Sequence, residues 1–148
     1  MIPPAFDGNT ILTVQRTFPA RRERVFRAWT EREALQHWFR PRGMSMTVRS
    51  LEARVGGSFR FELEDGSSVF GTYLHIAPPE KLVFTWSGGV IEGRETVVTL
   101  DFLDQGPVTE VVLTHERIST EAMRAMFEGG WPSLLDALTE VLSSPLDF

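Results

Sequence analysis

Residues 119–142 read Ser-Thr-Glu-Ala-Met-Arg-Ala-Met-Phe-Glu-Gly-Gly-Trp-Pro-Ser-Leu-Leu-Asp-Ala-Leu-Thr-Glu-Val-Leu. Met123, Phe127, Trp131, Leu134, Leu135, Leu138 and Leu142 recur at a spacing near 3.6 and form one apolar stripe, the mark of an amphipathic helix. Ser119 or Thr120 can accept a hydrogen bond from a free N–H at its start, and Glu121 suits the positive end of the helix dipole. Pro132 has no N–H and crowds the carbonyl four residues earlier, so a kink is expected there, with the helix running on to about Leu142.

Upstream of this helix the period changes to two. Phe59/Phe61/Leu63, Leu82/Phe84/Trp86, Val98/Leu100/Phe102 and Val111/Leu113/His115 alternate with polar residues, which places each set on one face of a strand. Between Met44 and Glu116 the runs are separated by turn chemistry: Gly56-Gly57, Asp65-Gly66, Pro78-Pro79, Gly88-Gly89 and Gln105-Gly106-Pro107. These breaks suit an antiparallel meander of about six strands, and Asp65-Gly66 is the strongest hairpin signal because both residues tolerate positive φ.

Residues Thr10 to Phe18 predict a further strand, ended by Pro19. Two short helices follow, over about 21–29 and 31–38, with Val25, Phe26 and Trp29 on one face and Leu35 and Trp38 on another. Thr30 and Glu33 have capping-box spacing. Residues 1–9, with two prolines, a glycine and an asparagine, read as a loose arm. The order is α+β: a single domain over 1–148, with a sheet covered on one face by the last helix and room for a cavity between them.

Composition narrows the function. The 148 residues carry a formal charge of −5, which argues against nucleic acid or an anionic membrane as partner. Cysteine is absent, which excludes a disulfide framework and a thiolate metal site. No apolar run approaches the ~18 residues of a membrane span, and the first residues lack the features of a signal peptide, so a cytoplasmic protein is expected. Charge is uneven: Arg16–Arg60 holds eleven arginines against four acids, net +7, and the stretch from Phe61 to the end is net −11.

Several stretches resemble one family. They are His37-Trp38-Phe39-Arg40-Pro41-Arg42-Gly43, Val55-Gly56-Gly57-Ser58-Phe59-Arg60-Phe61, and Gly71-Thr72-Tyr73 through Pro78-Pro79-Glu80-Lys81-Leu82 to Trp86. Leu113-Thr114-His115-Glu116 and Gly130-Trp131 continue the series. The chain resembles the bacterial homologues of the activator of heat-shock-protein ATPase (AHSA-like), in the START-like (SRPBCC) superfamily, over about residues 10–142. The resemblance implies a helix-grip fold: a seven-stranded antiparallel sheet wrapped around a long C-terminal helix, with a deep apolar cavity between them. Phe39, where many members have a second Trp or Tyr, and Pro132 after Trp131 depart from the pattern. Fold alone selects no function, since relatives include carriers, receptors, cyclases and co-chaperones.

Catalytic motifs are absent. His115-Glu116 does not continue into H-E-x-x-H, there is no G-x-S-x-G elbow, and Lys81 lacks a glycine-rich lead. His37, His75 and His115 have no paired ligand spacing, so neither metal nor cofactor is expected. The candidate ligand-binding residues are Trp38, Phe59, Phe61, Tyr73, Phe84, Trp86, His115 and Trp131, each open to a second reading as plain core. His115 shares its strand face with Val111 and Leu113, so it is either a hydrogen-bonded core histidine or a polar anchor for a guest. Tyr73 has the same two readings, and Arg60 and Glu62 are expected to face solvent.

Three functions follow. The first is non-catalytic binding or sensing of a small hydrophobic or amphipathic molecule in the cavity. The second is modulation of a heat-shock ATPase as a chaperone partner, with the arginine-rich segment supplying docking charge. The third is a cavity enzyme of cyclase, dehydratase or hydrolase type, with His115 as general acid/base and Tyr73 as helper. A homodimer is conceivable through a sheet edge or the surface carrying Trp29.

Overall fold

The structure, a computed structural model, describes residues 10–88 and 95–144. The expected arm at 1–9 and the second glycine of Gly88-Gly89 lie outside the described residues. Seven strands form one antiparallel sheet in the order β1-β7-β6-β5-β4-β3-β2. They are β1 (Thr10–Phe18), β2 (Met46–Leu51), β3 (Ser58–Leu63), β4 (Ser68–Ala77), β5 (Lys81–Gly88), β6 (Thr96–Gln105) and β7 (Val108–Ile118). Thus β2 to β7 form the meander, and β1 closes on its last strand. Helices α1 (Arg22–Thr30) and α2 (Arg32–Trp38), then a single 3-10 turn at Pro41–Gly43, carry the chain from one sheet edge to the other.

Helix α3 (Glu121–Leu142) buries the stripe read from sequence, all seven residues of it, against the sheet. The four alternating sets on β3, β5, β6 and β7 are buried too, so helix and sheet share one core. Alternation fixes which face turns inward; irregularities in register bend the sheet around the helix. They fall at Thr10/Leu12, Val48/Ser50 and Tyr73/His75. Gly71 on β4 permits a further close approach. A Cβ there would stand 1.9 Å from the Thr85 carbonyl oxygen and 2.8 Å from the Phe59 ring. The Asp65-Gly66 hairpin forms as expected, with Gly66 at φ 88 and Asp65 Oδ1 accepting from the Ser67 N–H at 2.9 Å.

Two expectations change. Thr30 and Glu33 make no capping box: α2 is preceded by Glu31 without a side-chain cap. Thr30 is the last residue of α1, and its hydroxyl donates back to Phe26 O at 3.3 Å, as helical threonines do. As expected, α3 runs on through Pro132 as one helix from Glu121 to Leu142; Glu128, whose carbonyl loses its partner to the proline, is exposed to water. Trp29, expected on a surface able to pair two copies, is 5% exposed and packs edge-on against Trp38 with ring centroids 4.6 Å apart.

Many of the arginines between 16 and 60 have intramolecular partners. Arg16 bonds Asp136 on α3 at 2.6 Å, and Arg32 donates to Val48 O at 2.6 Å. Arg24 donates to Leu142 O and Ser144 O, at 2.8 and 3.1 Å, and so caps the C-terminal end of α3, whose last turn holds no basic residue. Glu62 is half-buried and Arg60 exposed, the latter lying over the Phe70 ring. Among the described residues no helix is long and apolar enough to cross a membrane.

Candidate functional site

The hollow of the sheet is divided in two by a wall of aromatic side chains. Phe39, from the end of α2, packs edge-on against Trp86 of β5 with centroids 5.5 Å apart, and Trp86 meets Trp131 of α3 at 5.5 Å. On the inner side of Phe39 and Trp86 lies a void of about 20 Å³, bounded by Trp29, Leu35, Phe59, Phe61, Tyr73 and Phe84. That is room for one water molecule at most. On the outer side lies a half-open cleft of about 390 Å³.

The cleft is built from three parts of the chain. Helix α3 supplies one wall through Met126, Phe127, Gly129, Gly130, Trp131 and Leu134. Leu63, Val69 and Trp86, from the neighbouring ends of β3, β4 and β5, supply the floor. The 3-10 turn closes the rim with Pro41 and Arg42, the latter in a left-handed conformation at φ 54. Among its described lining residues the polar side-chain groups are the hydroxyls of Ser67 and Ser133, the Arg42 guanidinium and the indole N–H groups of Trp86 and Trp131, the last engaged by His115.

The two glycines have no packing explanation. A Cβ built on Gly129 or Gly130 would meet no described atom within 4 Å. Each glycine inside a helix costs about 1 kcal/mol relative to alanine. Both line the cleft.

Of the eight residues singled out from sequence, Trp86 and Trp131 line the cleft. Phe59, Phe61, Tyr73 and Phe84 surround the small inner void, where their rings pack at 4.9 to 6.2 Å. Trp38 borders neither space; it is fully buried, and its Nε1–H donates to Ala28 O at 2.8 Å. His115 is fully buried behind Trp131 and Phe127, its ring 4.2 Å from that of Phe127.

The polar atoms around His115 form a closed chain. Trp131 Nε1–H can only donate, and it donates to His115 Nδ1 at 3.1 Å. Nε2 must then carry the ring proton and donate to Thr96 Oγ1 at 2.7 Å, and the threonine hydroxyl donates to Trp86 O at 2.9 Å. Burial pushes the imidazole pKa down to about 3, so the ring is neutral at physiological pH. The network holds Trp131 and Trp86 in their places on the two sides of the cleft. Burial also raises the Tyr73 hydroxyl above its ordinary range, which keeps it protonated.

Residues 19–143 match the family described as Activator of Hsp90 ATPase homolog 1-like protein. The chain belongs to this family. Solved structures bear out the helix-grip fold of this chain. A crystal structure of a Rhodobacter sphaeroides protein is similar at TM-score 0.80 and 25% identity, covering 99% of both chains. A Staphylococcus epidermidis protein solved by NMR has TM-score 0.77 and 27% identity, covering 93% of this chain and 92% of that one. DynU16, a protein in the dynemicin biosynthetic locus, has TM-score 0.77 and 22% identity, with 93% of this chain matching 48% of that chain. No curated protein matches the sequence.

The residues that sequence reading missed are Phe39, Arg42, Leu63, Val69, Met126, Phe127 and the two glycines. Only Gly129-Gly130 carried a local signal: two poor helix formers in the middle of an otherwise well-formed stripe. Among the described residues no group of histidines and carboxylates is placed to hold a metal ion.

Proposed function

We propose that this protein binds a small apolar or amphipathic molecule in the cleft between α3 and the ends of β3, β4 and β5, without acting chemically on it. The observation that carries the reading is Gly129-Gly130: a helix weakened by roughly 2 kcal/mol where alanines would fit. An empty space that packing does not require is kept open at the expense of stability, and a guest supplies the reason. Its volume of about 390 Å³ falls in the range of small-molecule sites. Covering about 300 Å² of apolar ligand surface at ~25 cal/mol/Å² is worth roughly 7 kcal/mol before the costs of association, which allows micromolar binding.

Placement of the candidate acid–base residues favours binding over catalysis. Neither His115 nor Tyr73 lines the cleft, and both ring nitrogens of His115 are already engaged. A general base needs a free lone pair within about 3 Å of the proton it takes.

Trp86 and Trp131 make the test direct. Intrinsic fluorescence is followed while fatty acids, sterols, flavonoids and polyketides are titrated into the wild-type protein and into Gly130→Leu. The substitution adds a side chain to a helix that tolerates it and fills the cleft. A saturable response in the wild type that Gly130→Leu abolishes is expected. No response across the panel, or one unchanged in the variant, overturns the reading.

A further inference from the structure

We infer that the guest is an amphipathic organic acid, its apolar body against Trp86, Phe127 and Trp131 and its carboxylate held at the rim by Arg42; this rests on the binding reading above and names the ligand class. Arg42 is the one charged side chain among the cleft's described lining residues. Its backbone lies at φ 54, ψ 28, a left-handed conformation that costs energy for any residue with a Cβ and persists where the surroundings impose it. That conformation sets the side chain at the cleft mouth, 71% exposed.

Its guanidinium has no hydrogen-bond acceptor among the described residues. The nearest carboxylate is Asp65, whose Oδ2 lies 4.0 Å from Nη2, too far for a hydrogen bond. Asp65 is held on its own turn instead, Oδ1 accepting from the N–H and hydroxyl of Ser67 at 2.9 and 2.6 Å. A planar fork of donors, paired with Asp65 only at ion-pair distance, therefore stands beside an apolar cleft. Such a fork matches a carboxylate through two parallel hydrogen bonds, whereas a neutral guest leaves it unused and a cationic one is repelled.

Dodecanoate and dodecanol share a body and differ in the head group. Each is titrated, below its aggregation concentration and near pH 7.5, into the intact wild-type protein, Arg42→Gln and Gly130→Leu, with tryptophan fluorescence as readout. At low salt the wild type should prefer the acid by about five- to tenfold, the range of a solvent-exposed charge-assisted contact. That preference should shrink at ~0.5 M salt, where the Debye length is only a few ångströms. Arg42→Gln should bind acid and alcohol alike. Equal affinities in the wild type, or a preference that survives Arg42→Gln, overturn the assignment to Arg42; if Gly130→Leu still abolishes binding, the cleft stands as the site. Binding of neither probe overturns the amphipathic acid as guest, while the cleft reading stands or falls on the wider panel above.

Discussion

Acid should unfold this protein through His115, and the size of the effect follows from its surroundings. The ring is fully buried, both nitrogens are occupied, and its pKa is pushed down from 6.5 to about 3. Protonation would put a second donor at Nδ1, facing the Trp131 N–H that now donates to it. Between about pH 3 and 6.5 the unfolded chain carries a proton on this histidine that the folded chain does not. Lowering the pH through that window therefore favours unfolding; above it the residue is neutral in both states and contributes no pH dependence. Each pH unit below 6.5 is worth about 1.4 kcal/mol, so roughly 3 kcal/mol should be lost by pH 4.5. His115→Gln supplies the reference, since an amide can accept from Trp131 and donate to Thr96 but cannot titrate in this range. Urea unfolding at pH 7.5 and 4.5 should show the wild type losing about 3 kcal/mol more than the variant, carboxylate effects being common to both. The ring should also give an NMR titration displaced well below the ordinary histidine range. Parallel pH dependences, or a ring titrating near 6.5, would refute the reasoning and reopen His115 as an accessible proton-transfer group.

Two further substitutions test the framework that holds the cleft. Gly71→Ala drives a Cβ to 1.9 Å from the Thr85 carbonyl oxygen and should cost about 3 kcal/mol, the upper end for overpacking, measured as a lowered urea midpoint. Thr120→Ala removes the acceptor of the Met123 N–H at the start of α3 and should cost about 1 kcal/mol, with helix fraying visible as faster amide exchange in the first turn.

How much could be read in advance depends on how local each feature is. The stripe from Met123 to Leu142 and the four alternating sets were legible because periodicity records which face is buried, whatever it is buried against. The Asp65-Gly66 turn was legible because positive φ is a property of the residue itself. Misreadings arose where neighbours compete. Thr30 has the right spacing to cap α2, yet α1 extends through it and claims its hydroxyl.

The amino-acid sequence by itself determined the order of elements, the inward faces of strands and helix, and membership of a pool of aromatic residues available to a site. Tertiary structure alone decided how that pool is divided. Phe59, Phe61, Tyr73 and Phe84 fill the inner core, whereas Trp86 and Trp131 face the cleft together with Phe39, Leu63, Val69 and Phe127. The division depends on where the bent sheet parts from α3, and that is set by register shifts and packing between residues more than a hundred positions apart. Periodicity assigns a side chain to a face; only the path of the backbone on the opposite side determines whether that face meets another side chain or a space.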